Sequence, residues 1–286
     1  MTTKLLKKRA LEIFTVISVL LLSTSPALAD IELVFGTYAA DKPSTTVKKF
    51  KPFLDHLAVE VEARLQEPVI IKMKIAKEYE QSIDDLTGGK VDFARFGPAS
   101  YITAKRINPD IQRIAMEQKS GRKRFNGVIV VHENSEISSL SELQGHTFAF
   151  GDELSTIGRY LSQSHLISAG ITGDQLLGFS FLGRHDLVGA GVSDKRFDAG
   201  ALKESTFKSL ISNGKPLRVL FEFGNVTKPW LASADLPFRI ANAMRDVMLN
   251  IADFEVLNSI SKDGFISGKD EEYDFVRAAM QNSRKF

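Results

Sequence analysis

Residues 147–161 read TFAFGDELSTIGRYL: a short apolar strand, a turn, and then the mouth of a helix carrying Ser155, Thr156 and Gly158. Unpaired backbone N–H groups at a helix N-terminus attract negative charge, and Ser or Thr hydroxyls extend that cradle. No base stands beside these hydroxyls to activate them, so the unit reads as one that holds an anion. Strand, turn and helix in that order is also the repeating unit of an α/β fold, and the chain around it repeats the unit.

Upstream, IELVFG (31–36) predicts a strand, and residues 44–65 a helical region that Pro52 is expected to kink or restart. PVIIKMKIA (68–76) predicts a second strand, followed by a helix over YEQSIDDLTGG that Gly88 and Gly89 stop. VDFARFG (91–97) is a third, with Pro98 at a favoured first helical position before ASYITAKRI. NGVIVVHE (126–133) is apolar and long enough to pass between two sheets. Beyond it, Ser139 and Glu142 predict a capping box, and the helix that starts at 155 closes at Gly170. LGFSFLG (177–183), FDAGAL (197–202) and LRVLFEF (217–223) are the remaining predicted strands, and the tail from Leu236 onward reads as helical. Such alternation implies parallel sheets with helices on both faces, here in two series: two α/β lobes with a cleft between them. The first lobe is predicted to take residues 30–131 and 222–286, the second 132–221.

The 286 residues are 43% hydrophobic and 25% charged, a globular composition. Residues 1–29 stand apart. Lys4, Lys7, Lys8 and Arg9 precede the apolar IFTVISVLLL, and Ala27-Leu28-Ala29 has the form of a cleavage site. A leader removed before Asp30 is expected, leaving a mature protein free in a bacterial periplasm; the apolar run is shorter than the ~18 residues of a membrane span. The leader holds four of the 37 basic residues and one of the 35 acidic ones, so the mature chain is near neutral and gives no support for nucleic-acid binding. Cysteine is absent, which excludes disulfides, thiolate metal sites and cysteine nucleophiles.

In open α/β sheets, ligands sit beyond the carboxyl ends of the strands, so the strand-to-helix turns carry the candidate chemistry. Four offer hydroxyls, an imidazole or free N–H groups: Thr37-Tyr38, FGPASY (96–101) with Ser100 and Tyr101, GDELSTIG (151–158), and GRHD (183–186) with His185. Ordinary helix capping accounts for any one of them, but not readily for four that converge. The remaining histidines (His56, His132, His146, His165) lack metal-like spacing and read as structural, so no metal site and no cofactor are expected. No nucleophile elbow, Walker A sequence, zinc-protease helix or dinucleotide fingerprint occurs. A Ser155–His185–Asp186 triad fails because Asp186, adjacent to His185, is badly placed to orient its imidazole. The chain is not expected to be an enzyme.

Together, VDFARFGPASYITAK, GVIVV, SLSELQGHTFAFGDELSTIGRYL, GRHDLVGAGV, FDAGAL and KPWLASADLP resemble, in order and spacing, the periplasmic phosphate/phosphite/phosphonate-binding proteins that serve ABC transporters. The resemblance spans nearly the whole mature chain. It implies a two-lobed periplasmic-binding-protein fold of type II, with the ligand cleft at the hinge, that closes on an oxyanion without reacting. It assigns the cradle to Ser155, Thr156 and Gly158, the histidine turn to His185, and the first-lobe aromatics to Tyr38 and Tyr101. The family's second cradle serine is Ile157 here, and its second glycine before the histidine is Arg184. Acidic residues that hold the amine in aminophosphonate binders fall near Ser205 and Lys228, with Glu204 adjacent. A simple tetrahedral oxyanion is therefore expected over a zwitterion, with Arg95, Arg184 and Lys228 as further sources of positive charge. The implied partner is an ABC permease. The alternative is a sensory subunit that presents bound phosphate or arsenate to a membrane histidine kinase.

Overall fold

The computed structural model describes residues 30–118, 121, 124–260 and 262–286. The expected leader and its cleavage site lie outside the described residues. Among the described residues, no helix is long and apolar enough to cross a membrane.

Two sheets organise the chain. The first has the order β11-β4-β10-β3-β1-β2. In it β1 (Ile31–Tyr38) lies parallel to β2 (Val69–Ala76) and β3 (Phe93–Arg95), and β10 (Pro229–Ala232) inserts antiparallel between β3 and β4 (Gln112–Gln118). β11 (Gly264–Ile266) closes the edge beside β4. The second sheet has the order β7-β6-β8-β5-β9. There β6 (Thr147–Phe150) runs parallel to β7 (Gly178–Phe181) and β8 (Ala199–Lys203), while β5 (Arg124–His132) is antiparallel to both β8 and β9 (Leu217–Val226). The α/β class and the helices on both faces are as expected, but the sheets are mixed and not purely parallel. The reason is that the chain enters and leaves the second sheet on neighbouring strands, and such returns run antiparallel.

Helices follow the strands in the predicted order. On the first sheet, α1 (Pro43–Leu65), α7 (Phe238–Asn250) and α8 (Phe254–Ser259) bury Phe50, Phe53, Leu57, Met244 and Leu257 against one face around Trp230. On the other face lie α2 (Tyr79–Thr87) and α3 (Pro98–Ile107). On the second sheet, α4 (Ser162–Ser168) covers one face; α5 (His185–Ser193) and α6 (Glu204–Ser212) cover the other. The expected break at Pro52 does not occur: α1 runs unbroken across it. Proline removes one backbone donor there, but the residues around it are pinned by buried Phe50, Phe53 and Leu54, and the unpaired carbonyl belongs to exposed Lys48.

Sheet membership places the crossings differently from the predicted lobe limits. β5 belongs wholly to the second sheet, so NGVIVVHE does not pass between sheets; the chain crosses before Arg124 and again at Thr227-Lys228. The two crossings are tied together where the Glu117 N–H donates to the Lys228 carbonyl at 3.1 Å. The final helix, α9 (Asp274–Asn282), belongs to neither lobe alone. Its Val276 packs in the first-lobe core and its Ala279 in the second. Beyond it, Ser283 and Phe286 contact Gln163 and Phe150 of the second lobe.

Candidate functional site

The helix mouth after β6 faces the N-terminal end of α3 across the cleft. Ser155 caps the mouth, its Oγ accepting from the Gly158 N–H at 3.0 Å. The Ser155 carbonyl then accepts from both Arg159 and Tyr160, so the first turn, Thr156–Leu161, is the wide π type often found at functional sites. Gly158 is needed for close approach: a Cβ there would lie 2.8 Å from the Cα of Gly151, whose N–H bonds the Gly158 carbonyl. Thr156 Oγ1 accepts from the Ala99 N–H of α3 at 2.9 Å. Tyr38, at the end of β1, accepts from the Gly97 N–H at 2.5 Å and pairs with Ser100 Oγ at 3.2 Å.

These bonds share a polarity. The hydroxyls of Ser155, Thr156 and Tyr38 each accept from a backbone N–H; Ser155 is also bonded to Tyr79 and Tyr38 to Ser100, so the proton of Thr156 is the one left to turn toward a ligand without giving up another hydroxyl. Burial, opposed by the bonds to Ser100 and Gly97, pushes the Tyr38 hydroxyl up to about 12, so it remains a donor at neutral pH. Tyr79, stacked on Tyr38 at 3.5 Å between ring centroids, is raised by burial as well and contacts Ser155.

The five residues Tyr38, Tyr79, Ser155, Thr156 and His185 line a small space of about 20 Å³ together with Asn225, Lys203 and Lys228. His185 is buried, and its ring bonds the backbone of Ala201 while Nδ1 has no partner among the described residues. Burial first, and Lys203 second, push the imidazole down to about 3, so the ring is neutral. Asn225 is fully buried. Its Oδ1 accepts from the Val226 N–H at 2.8 Å, which fixes the amide so that Nδ2 is the free end, and Nδ2 also lacks a partner. Ile157 occupies the position of the absent serine, supplying an apolar wall and no donor.

Beside this space opens a cavity of about 400 Å³, sharing Tyr38, Phe125, Lys203 and Lys228 with it. Arg95, Glu204 and Ser205 line this larger cavity and not the cradle. Arg95 is bound bidentately to fully buried Glu117 (2.5 and 3.0 Å), which also holds Lys262 at 3.0 Å and the Trp230 indole at 3.2 Å. Burial alone would raise the Glu117 carboxyl; Arg95 and Lys262 hold it well below the usual range. Across the entrance, Asp41 joins Lys203 and Thr206, and the His185 N–H donates to the Ala40 carbonyl at 3.1 Å.

Two predicted residues lie elsewhere. Tyr101 is turned into the core against Tyr273, its hydroxyl donating to Asp270 at 2.6 Å. Successive helix residues diverge by about 100°, so Ser100 and Tyr101 cannot both face Tyr38. Arg184 forms a bidentate pair with Asp186 at 3.0 Å and lines neither space. Conversely, the sequence reading passed over Tyr79, Asn225 and Lys203. Tyr79 stands in the turn after β2, the same kind of position as the four turns singled out; Asn225 is a lone amide in an otherwise apolar strand end.

The sequence model of the family described as "ABC transporter, phosphonate, periplasmic substrate-binding protein" matches residues 35–273. The chain is 25% identical over 288 residues to PhnD1 of Prochlorococcus marinus (strain MIT 9301), named as a "Probable ABC transporter phosphite binding protein", covering 92% of this chain and 94% of that protein. The structure of PhnD1 with methylphosphonate superposes with a TM-score of 0.78 at 24% identity, covering 89% of this chain and 99% of that one. A binding-protein component of an ABC phosphonate transporter from Pseudomonas aeruginosa gives 0.76 at 17% identity, with 89% and 86% covered. The Escherichia coli aliphatic sulphonate-binding protein SsuA gives 0.55 at 21%, with 88% and 76% covered. Likenesses at these identities establish the two-lobed binding-protein fold.

Proposed function

Because this chain belongs to the periplasmic substrate-binding proteins of phosphonate ABC transporters, we propose that it holds a small phosphorus oxyanion between Ser155, Thr156, Tyr38, Tyr79, His185 and Asn225. The anion is released unchanged to a membrane permease. Phosphate, phosphite and methylphosphonate are the candidate ligands, and phosphite and methylphosphonate, named for the relative PhnD1, fall in the same class.

The observation that carries this reading is the buried Asn225 Nδ2, unpartnered among the described residues, beside the hydroxyls of Ser155, Thr156 and Tyr38. An unpaired buried donor costs about 1–3 kcal/mol, and an anion at this position would satisfy Nδ2 and take the Thr156 proton, with Ser155 and Tyr38 exchanging their bonds to Tyr79 and Ser100 for it. Neutral donors on fixed backbone hold an anion without supplying a nucleophile or base, so capture needs no chemistry. The lobe division behind this reading takes Thr227-Lys228 as a hinge crossing, with closure as the shape a permease recognises.

Calorimetric titration of ligand-stripped protein with phosphate, phosphite, methylphosphonate, arsenate and sulfate tests the proposal. Tight binding of a phosphorus oxyanion is expected, with the ligand recovered unaltered by phosphorus NMR. Silence across the panel, or turnover, would overturn it.

A further inference from the structure

The larger cavity has a charge that the cradle does not need. Its walls carry Lys49, Arg95, Lys203, Lys228 and Lys262, with Asp41 and Glu204 as the lining carboxylates. Both carboxylates are engaged: Asp41 with Lys203 and Thr206, Glu204 with Lys208 at the rim. Glu117, behind the wall, serves Arg95 and Lys262. Among the described residues no carboxylate lies within ion-pair distance of Lys49 or Lys228. The Lys49 ammonium stands 5.7 Å from the centre of the Phe50 ring, and Glu117, which acts on it from behind the wall, is outweighed by burial and Arg95.

Gathering like charges in a half-buried cavity is unfavourable without a counter-charge. The effect is visible on the groups themselves. Burial, and next Arg95, push the Lys49 ammonium down to about 7, and the same two causes carry Lys228 well below its ordinary value. The cavity adjoins the cradle through Tyr38, Phe125, Lys203 and Lys228, so a group attached to a cradled phosphorus atom projects toward these cations. An ammonium there would meet like charge. A carboxylate or second phosphoryl group would supply the missing counter-charge.

We propose that this cavity is a subsite for an anionic substituent, so that the favoured ligand is an organophosphonate bearing a second anion, carboxylate or phosphoryl, on a short carbon chain, held by Lys228, Lys49 and Lys203. The inference rests on the cradle being the phosphorus site. It goes beyond it by specifying the rest of the ligand and by excluding aminophosphonates on charge.

The test compares matched ligands on the purified protein: 3-phosphonopropionate against n-propylphosphonate, methylenebisphosphonate against methylphosphonate, and 2-aminoethylphosphonate against ethylphosphonate. At least one diacid should bind about tenfold tighter than its alkyl partner, the size of one charge-assisted hydrogen bond, and the amine should bind more weakly than its own. The carboxylate and bisphosphonate arms tell which second anion is taken. Lys49→Met should pull the diacid-to-alkyl ratio toward one, and added sodium chloride should shrink it in the unaltered protein. Alkyl ligands that bind as well as both diacids would overturn the subsite and leave the cradle standing; so would a ratio unmoved by both Lys49→Met and salt. Absence of binding by every phosphonate, methylphosphonate included, would remove the cradle with it.

Discussion

Thr156 Oγ1 accepts a hydrogen bond from the Ala99 N–H at 2.9 Å, so the hydroxyl that opens a helix of one lobe also touches the first turn of a helix in the other. A single side chain thereby joins the two lobes at the edge of the proposed cradle. Thr156→Ala should weaken anion affinity by about 1–3 kcal/mol, and Thr156→Ser should restore most of it, because the hydroxyl and not the methyl makes both contacts. Calorimetry with methylphosphonate decides; equal affinity for Ala and Ser variants would contradict the assignment.

Asn225 should separate stability from binding. Asn225→Leu removes the unpartnered Nδ2 together with the Oδ1 that accepts from the Val226 N–H, so the two effects offset and the ligand-free protein should change by less than about 1 kcal/mol in denaturant unfolding. The same change should weaken anion binding at least about tenfold. A variant that binds as tightly as the parent would mean that Nδ2 never faces the ligand.

The pH dependence follows from His185. Its ring is neutral, with a bare Nδ1 toward the small space, and a lone pair there repels an anion. Binding must bring a proton to that contact, either on the ligand as a P–OH or by raising the imidazole, which a neighbouring anion favours. Affinity for methylphosphonate should therefore fall as pH rises from about 6 to about 9, with proton uptake read from buffers of different ionisation heat. Proton release, or a flat profile, would exclude this arrangement. For stability the sign also runs one way: the folded ring is depressed and the unfolded one is not. Its contribution is thus present in full above the ordinary histidine value and is lost progressively as pH falls from there toward about 3, the value of the folded ring.

Glu117→Gln should be among the most damaging single changes in the first lobe. It leaves Arg95 and Lys262 beside a neutral amide where a buried carboxylate had held both. Breaking a buried ion pair by removing one partner costs about 3–5 kcal/mol. The protein has one tryptophan, Trp230, bonded to that carboxylate, so its emission monitors the loss directly. A melting temperature within a degree or so of the parent would mean that water replaces the carboxylate.

Alternating strand and helix was legible because β1, β5 and β6 carry apolar runs and β2 alternates apolar residues with lysines. β4, β10 and β11 were not: QRIAMEQ is half polar, PWLA begins with proline, and GFI has three residues. All three pair antiparallel in the first sheet, by long-range contacts that no local pattern records. That Ser155, Thr156 and His185 line one small space was legible, because helix mouths announce themselves in residue type. Asn225 was hidden by its neighbours, since a strand end gives no sign of which side chain meets a cleft. Tyr101 misled for the complementary reason: two adjacent hydroxyl residues on α3 differ only in helical phase.

The crossing at Thr227-Lys228 has one more implication. For two bodies that turn about such a crossing, points on the axis travel least, as at the fulcrum of a pair of tongs. Lys228 lies at this crossing and lines both spaces of the cleft. Were the lobes to turn about the crossing, Lys228 would move little, and the place to which an incoming anion is drawn would depend on ionic strength more than on the opening of the cleft.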